Sequence, residues 1–290
     1  MKNWIIVATF FCLWLSTTFP DFIQSYMAYS LILTFGVLHG ANDITLIVKS
    51  KKERPDKQVF KKILLYYIVT VLVILGVFVL YPPLALLLFI LFSGYHFGEQ
   101  HFGSKMKNSG IGPSVMYTSY GLVILFMIFL IRVNEVTIII EEVSALILSK
   151  QLFTSILAVS AIIFIGSLFF FWYTKQLNVK VYEELFYILI FYIIFNTASL
   201  IWGFCIYFIL WHSIPSLVDQ MKYLYGDSSK STLITYLKSS WVYWLVSVLG
   251  LGLLFLFFGN DHQFFISILL YFLAAITFPH VIVMSRLKHD

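Results

Sequence analysis

Long apolar runs alternate with short polar breaks along the whole chain. Ten runs read as spans: 3–20, 22–48, 62–81, 83–104, 113–133, 152–174, 183–197, 198–221, 237–258 and 263–285. A helix needs about 20 mostly apolar residues to cross the hydrocarbon of a bilayer. The pattern therefore predicts an all-α, polytopic transmembrane helical bundle of about ten helices. The short run 183–197 and its weak boundary with the next leave the count between eight and ten. Residues 135–149, "EVTIIIEEVSALILS", mix acids with an apolar face and predict an interfacial helix or a loop. The first run, "MKNWIIVATFFCLWLSTTF", has no A-x-A-like cleavage site before Asp21 and is followed at once by more apolar runs, so it reads as the first membrane helix. No internal repeat is evident and nothing separates a second domain, so 1–290 reads as a single integral-membrane domain.

Composition strengthens this picture. The chain is 60% hydrophobic and 11% charged, where a soluble domain of this length carries about a quarter charged residues. The net charge of +5 reads as loop bias and not as a nucleic-acid footprint. The stretch 49–62, "KSKKERPDKQVFKK", holds seven Lys/Arg against two acids and belongs on the cytoplasmic side. Alternation from there places 105–112, 175–182, 222–236 and both termini inside. Each of those connections is basic. The outer side receives Asp21, the "RVNEV" segment, Asn196 and "GNDH". The expected location is the cell's inner (plasma) membrane, crossed many times. Cys12 and Cys205 lie in apolar runs and form no C-x-x-C pair.

The histidines then change the question from topology to chemistry. His262 and His289 fall in end segments and read as loop residues. His39, His96 and His212 lie nine or ten residues before the basic residues Lys49, Lys105 and Lys222, and His280 lies six before Arg286. A helix rises about 1.5 Å per residue, so the first three sit about 14–15 Å from the cytoplasmic cations, near the middle of a hydrocarbon core roughly 30 Å thick. His280 lies somewhat closer to the cytoplasm. Polar residues at that depth face the bundle interior and mark function. Four neutral imidazoles at similar depth suit a borderline transition metal. A lone membrane histidine more often bonds a neighbouring helix; four at matching depth make that the weaker account. Asp43, Glu99 and Asp219 are carboxylates near enough in sequence to orient a ligand ring. His96 and His101 are five apart, a spacing that a straight helix does not put on one face. Gly98 and Gly103 would allow an irregular turn that brings His101 back. Gly36, Gly40 and Gly94 read as close-packing positions.

The fragments "LHGAND", "YHFGEQ", "YFILWHSIPSL" and "FPHVIVMSRL" appear, in order, over roughly 35–287. In this the chain resembles the Brp/Blh family, bacterial and archaeal membrane enzymes that cleave β-carotene to retinal. The resemblance implies an Fe(2+)-dependent β-carotene 15,15′-dioxygenase. Molecular oxygen would add across the central double bond and give two all-trans-retinal. By position, His39, His96 and His212 match family iron ligands, and His280 matches a P-H near the family's C-terminal end. The chain departs from the family pattern at three places: Leu38 stands for a proline, Ile44 follows Asp43, and Ser216 stands where W-H-S-x-x-H has its second histidine. A hydroxyl is a poor replacement for imidazole, and His280, ahead of His101, is the expected substitute. The implied partners are β-carotene, O2 and the lipid bilayer, with a functional link to a retinal-binding opsin and no nucleic acid. Two other readings stay open: a relative acting on another carotenoid or isoprenoid, and a non-enzymatic transporter or carotenoid-binding protein using its histidines with Asp43 and Glu99 as a proton relay. No repeat with paired broken helices supports the transporter.

Overall fold

The computed structural model describes residues 2–50, 57–258 and 262–287. The middle of the basic 49–62 stretch, the "GND" at 259–261, and Lys288 and His289 lie outside the described residues. Among the described residues the chain forms eleven helices and no strand. They are α1 (Lys2–Thr18), α2 (Asp21–Lys49), α3 (Lys57–Leu80), α4 (Pro82–Phe102), α5 (Ile111–Ile131), α6 (Val133–Ser144), α7 (Lys150–Tyr173), α8 (Val181–Thr197), α9 (Leu200–Tyr225), α10 (Lys230–Phe258) and α11 (His262–Leu287). Six segments are long and apolar enough to cross a membrane: α2, α3, α5, α7, α9 and Ser267–Ser285 of α11. The other expected spans are helices too. α4 carries His96, Glu99, Gln100 and His101 in its C-terminal half, and α8 has only 17 residues.

The chain divides into two compact units, each discontinuous in sequence. One holds residues 1–30 and 90–212, the other 31–89 and 213–290. In the first, α5 packs along α7 and touches α8. Its centre is aromatic: the rings of Phe102, Tyr120 and Phe164 lie 5.0–6.0 Å apart, centroid to centroid, and all three are fully buried. In the second, α11 packs on α3 and on α10. Its core joins Leu46, Leu217, Met221, Leu224, Tyr236, Val283 and Met284. α3 shows its apolar residues outward, with Leu65, Ile68, Val69, Leu72 and Val73 exposed. In a soluble protein such a face would be an aggregation hazard; here it is what a lipid-facing helix requires.

Two helices are interrupted. α2 contains a π turn, Ile32–Gly36, and breaks at Ala41–Asn42 before resuming at Asp43. α9 contains a longer π segment, Tyr207–Ser213, with Pro215 two residues beyond it. The break in α2 is held by α10: Asn42 Nδ2 donates to Tyr236 O at 3.2 Å, and Ser239 Oγ donates to Asn42 Oδ1 at 2.9 Å. By contrast, α4 runs unbroken through Gly98 to Phe102 and tightens to a 3₁₀ turn only at Gly103–Lys105. The irregular turn expected at Gly98 is absent, and the reason is packing. Gly94 and Gly98 are four apart, on the face that meets α5. A Cβ built on Gly98 would overlap the carbonyl of Tyr117, and one built on Gly121 the carbonyl of Gly94. The glycines let two helix backbones touch, as small residues do in membranes.

Loops that the cations assign to one side are in contact. Lys107 N–H donates to Gln176 O at 2.9 Å, and Asn178 N–H to Lys105 O at 3.0 Å. At the other end Gln24 Nε2 donates to Ser16 O and Phe19 O, and its Oε1 accepts from Ser199 N–H at 3.0 Å. The Arg132 side chain donates to Phe195 O, Asn196 O and Ala198 O, capping the end of α8. The acidic segment after Arg132 is the helix α6. Val136, Ile140 and Val143 are buried at helical spacing while Glu135, Glu141 and Glu142 stay exposed. Partial burial raises the Glu135 carboxyl above its usual range, with Arg132 opposing.

Candidate functional site

Each unit contains one pair of buried histidines. In the first, His96 on α4 and His212 on α9 face each other with ring centroids 4.7 Å apart and planes at 78°. They are 2% and 1% exposed. His96 reaches this position because Gly94 and Gly98 seat α4 tightly on α5. His212 reaches it because the π segment rotates the helix there; such insertions recur at functional sites. Phe97 and Phe208 pack on the His212 ring at 4.8 Å and 5.5 Å. These apolar walls exclude water from the imidazoles.

In the second unit, His39 on α2 and His280 on α11 pair edge to face at 4.8 Å and 90°. They are 6% and 3% exposed. His39 follows the π turn of α2 by three residues. His280 follows Pro279, which has no N–H and interrupts the α11 ladder at that turn. A Cβ built on Gly40 would meet the His280 ring at ordinary contact distance.

The carboxylates differ in what they hold. Asp43 is 1% exposed; its Oδ1 lies 2.7 Å from His280 Nδ1, and its Oδ2 accepts from the Tyr67 hydroxyl at 2.9 Å. A carboxylate that accepts at both oxygens assigns the proton to His280 Nδ1 and makes Nε2 the acceptor nitrogen of the ring. Asp43 therefore orients His280, where the spacing had allowed His39 or another ring. Glu99 is buried and accepts from the Tyr95 hydroxyl at 2.9 Å. Asp219 is exposed.

Ser216 is fully buried. It accepts from Gln220 Nε2 at 3.2 Å, and the same amide donates to the His39 carbonyl at 2.7 Å. Tyr236 donates to Gln220 Oε1 at 2.8 Å. The serine thus belongs to a network that grips the backbone of His39. His101 lies elsewhere. Its Nε2 is 2.5 Å from the Glu184 carboxylate, which also receives Lys105 Nζ at 3.2 Å. Glu184 on α8 is 2% exposed, so this ion pair joins two helices in the interior.

Sequence reasoning missed Gln220, Tyr236, Tyr67 and both π segments. Gln220 was legible, since positions 212, 216 and 220 form a polar stripe at helical spacing. Tyr67 was not: it is one of 18 tyrosines, inside an apolar run. A separate cavity of about 520 Å³ opens between α5 and α7, lined in part by Ser114, Thr118, Ser119 and Ser160; none of the histidines borders it.

The fold and these pairs define an all-α protein with six helices long and apolar enough to cross a membrane and buried imidazoles on four of its helices. A family model for beta-carotene 15,15'-dioxygenase matches residues 30–288, and the chain belongs to that family. The family is one of dioxygenase-type enzymes. No curated protein and no solved structure matches the chain.

Proposed function

We propose that the protein is an iron-dependent dioxygenase that cleaves the central 15,15′ double bond of β-carotene with O2 and releases two molecules of all-trans-retinal. The family match over residues 30–288 carries this reading. His39, His96, His212 and His280 are the proposed ligands of one Fe(2+). The donor set fits: neutral imidazoles are what a borderline divalent metal prefers, and each ring is nearly inaccessible to solvent. His280, held through Nδ1 by Asp43, takes the place of the ligand that Ser216 does not provide. Ser216 and Gln220 hold His39 in place from behind.

Bound iron supplies the means to activate O2 beside an electron-rich polyene. The chain's own part is positioning and exclusion of water. Phe97 and Phe208 wall the His96–His212 pair. The Gln220–Tyr236 network and the Asp43–His280 bond fix the other pair. No acid–base dyad is needed, and Glu99, bonded to Tyr95, serves as a neighbouring acid that steadies α4 near His96. The proposed setting is a multi-pass protein of the inner (plasma) membrane with about ten crossings and both termini cytoplasmic. β-Carotene is a rod about as long as the hydrocarbon is thick, so an upright pose would bring its centre to the histidines' expected depth. Retinal as product implies use by an opsin in the same cell.

The test is expression in bacteria that accumulate β-carotene, wild type beside His96→Ala, with pigments and retinoids separated by chromatography. Retinal formed by the wild type alone is the expected result. Iron-loaded wild-type protein that leaves β-carotene intact would move the reading to another carotenoid or isoprenoid. Wild-type protein that binds no iron would overturn it.

A further inference from the structure

α3 is mostly a lipid-facing helix, yet one of its tyrosines turns inward beside the buried Ile63 and Phe78 of the same helix. Tyr66, its neighbour, is 69% exposed. Tyr67 is half-buried, and its hydroxyl reaches the carboxylate of Asp43. That carboxylate is 1% exposed and sits just after the break in α2. A carboxyl group at such a position is costly unless donors surround it. Two donors are in place, the Tyr67 O–H on Oδ2 at 2.9 Å and the His280 N–H on Oδ1 at 2.7 Å. Three helices, α3, α2 and α11, thus meet through one hydrogen-bonded line of three side chains.

We infer that Tyr67 is a positioning residue for His280: it pins the Asp43 carboxylate, and the pinned carboxylate fixes the rotation and tautomer of the imidazole so that Nε2 is the atom offered to a metal. The inference rests on the metal-centre reading above. The geometry behind it is specific. A carboxylate held at one oxygen only rotates about its Cβ–Cγ bond and presents no fixed acceptor to the ring. Held at Oδ2 by Tyr67, it keeps Oδ1 aimed at Nδ1. The His280 ring also packs against His39 edge to face, so a turn of one ring disturbs the other. Outer hydrogen bonds of this type typically change metal affinity by about 10–100-fold.

The test compares full-length wild type with Tyr67→Phe, which deletes only the hydroxyl, and with Tyr66→Phe as the lipid-facing control. Fe(2+) and Co(2+) affinities are read by competition with a chelator, together with the ligand-field spectrum of the Co(2+) form. Tyr67→Phe should weaken binding by about 10-fold or more and shift the Co(2+) spectrum, while Tyr66→Phe changes neither. The same substitution placed on an Asp43→Ala background should add nothing, because its path to His280 is already cut. A Tyr67→Phe protein that binds metal like the wild type would overturn the inference and leave the metal centre standing. An undiminished effect on the Asp43→Ala background would overturn it too. A wild type that takes up neither metal removes the metal centre and this inference together.

Discussion

Gly98→Ala is the sharpest test of how α4 is seated. In the native packing a Cβ at 98 overlaps the backbone carbonyl of Tyr117, which cannot swing aside as a side chain would. The α4 and α5 backbones must part by roughly 1 Å, and overpacking of this kind costs about 1–3 kcal/mol. For a domain of this size that corresponds to a fall of roughly 2–10 °C in the thermal midpoint. Gly121→Ala strikes the same crossing from the other helix, at the Gly94 carbonyl. Once one substitution has separated the helices the other meets less resistance, so the double variant should lose clearly less than the sum of the singles. Gly166→Ala is the internal control. Its Cβ would meet nothing within 4 Å, and alanine is the better helix former by about 1 kcal/mol. The assay is thermal unfolding in one detergent, followed by circular dichroism, with chelator competition for metal on the same samples. Because α4 carries His96 against His212, Gly98→Ala should also weaken metal binding. A Gly98→Ala protein with an unchanged midpoint would refute the close-packing account of the glycine pair.

Other outcomes follow from individual contacts. Arg132→Ala strips donors from three carbonyls at the end of α8 and should cost about 1–3 kcal/mol, seen as a lower midpoint and faster proteolysis near Asn196. His101→Ala should destabilise the fold by removing a partner of the buried Glu184 carboxylate, yet leave iron stoichiometry at the wild-type level; loss of iron would place His101 in the metal centre after all. Asp227, ahead of α10, is held below its usual carboxyl range by the Thr232 and Ser229 hydroxyls and the Ser229 N–H. Its contribution is therefore present above the ordinary carboxylate pKa near ~4 and is lost as pH falls through the depressed value. Asp227→Asn should be less stable than wild type at neutral pH, with the gap closing in acid, as read by thermal midpoints across pH.

Much of the architecture was legible in the chain because a bilayer is a demanding solvent. Backbone polar groups cannot go unsatisfied in hydrocarbon, so an apolar run of membrane length is a helix. That is why the ten runs correspond to helices in the structure, and why loops assigned to one side by their cations are found hydrogen-bonded to each other. The composition of 135–149 suits an interfacial helix or a loop, and in the structure Val136, Ile140 and Val143 are buried at helical spacing in a helix that ends at Ser144. Counting residues back from the cations singled out His39, His96, His212 and His280 without coordinates, and all four are buried.

Rotation about each helix axis does not follow from counting, and it decides which side chains meet. The π segments at Ile32–Gly36 and Tyr207–Ser213 shift the register of α2 and α9, and nothing in the apolar pattern marks them. Gly98 allows an irregular turn in α4 by its residue type; the carbonyl of Tyr117 packed against it keeps α4 straight and close. His101 had the right residue type and the wrong neighbours, because Glu184 from a distant helix claims it. Local composition was enough to give a chain of apolar helices with one candidate histidine on each of four of them, since hydrophobic length and charge are read residue by residue. Tertiary structure alone decided that Asp43 serves His280, that Ser216 and Gln220 support His39, and that Tyr67 joins this set, since those partners are 237, 181 and 24 residues apart along the chain and are brought together only by packing.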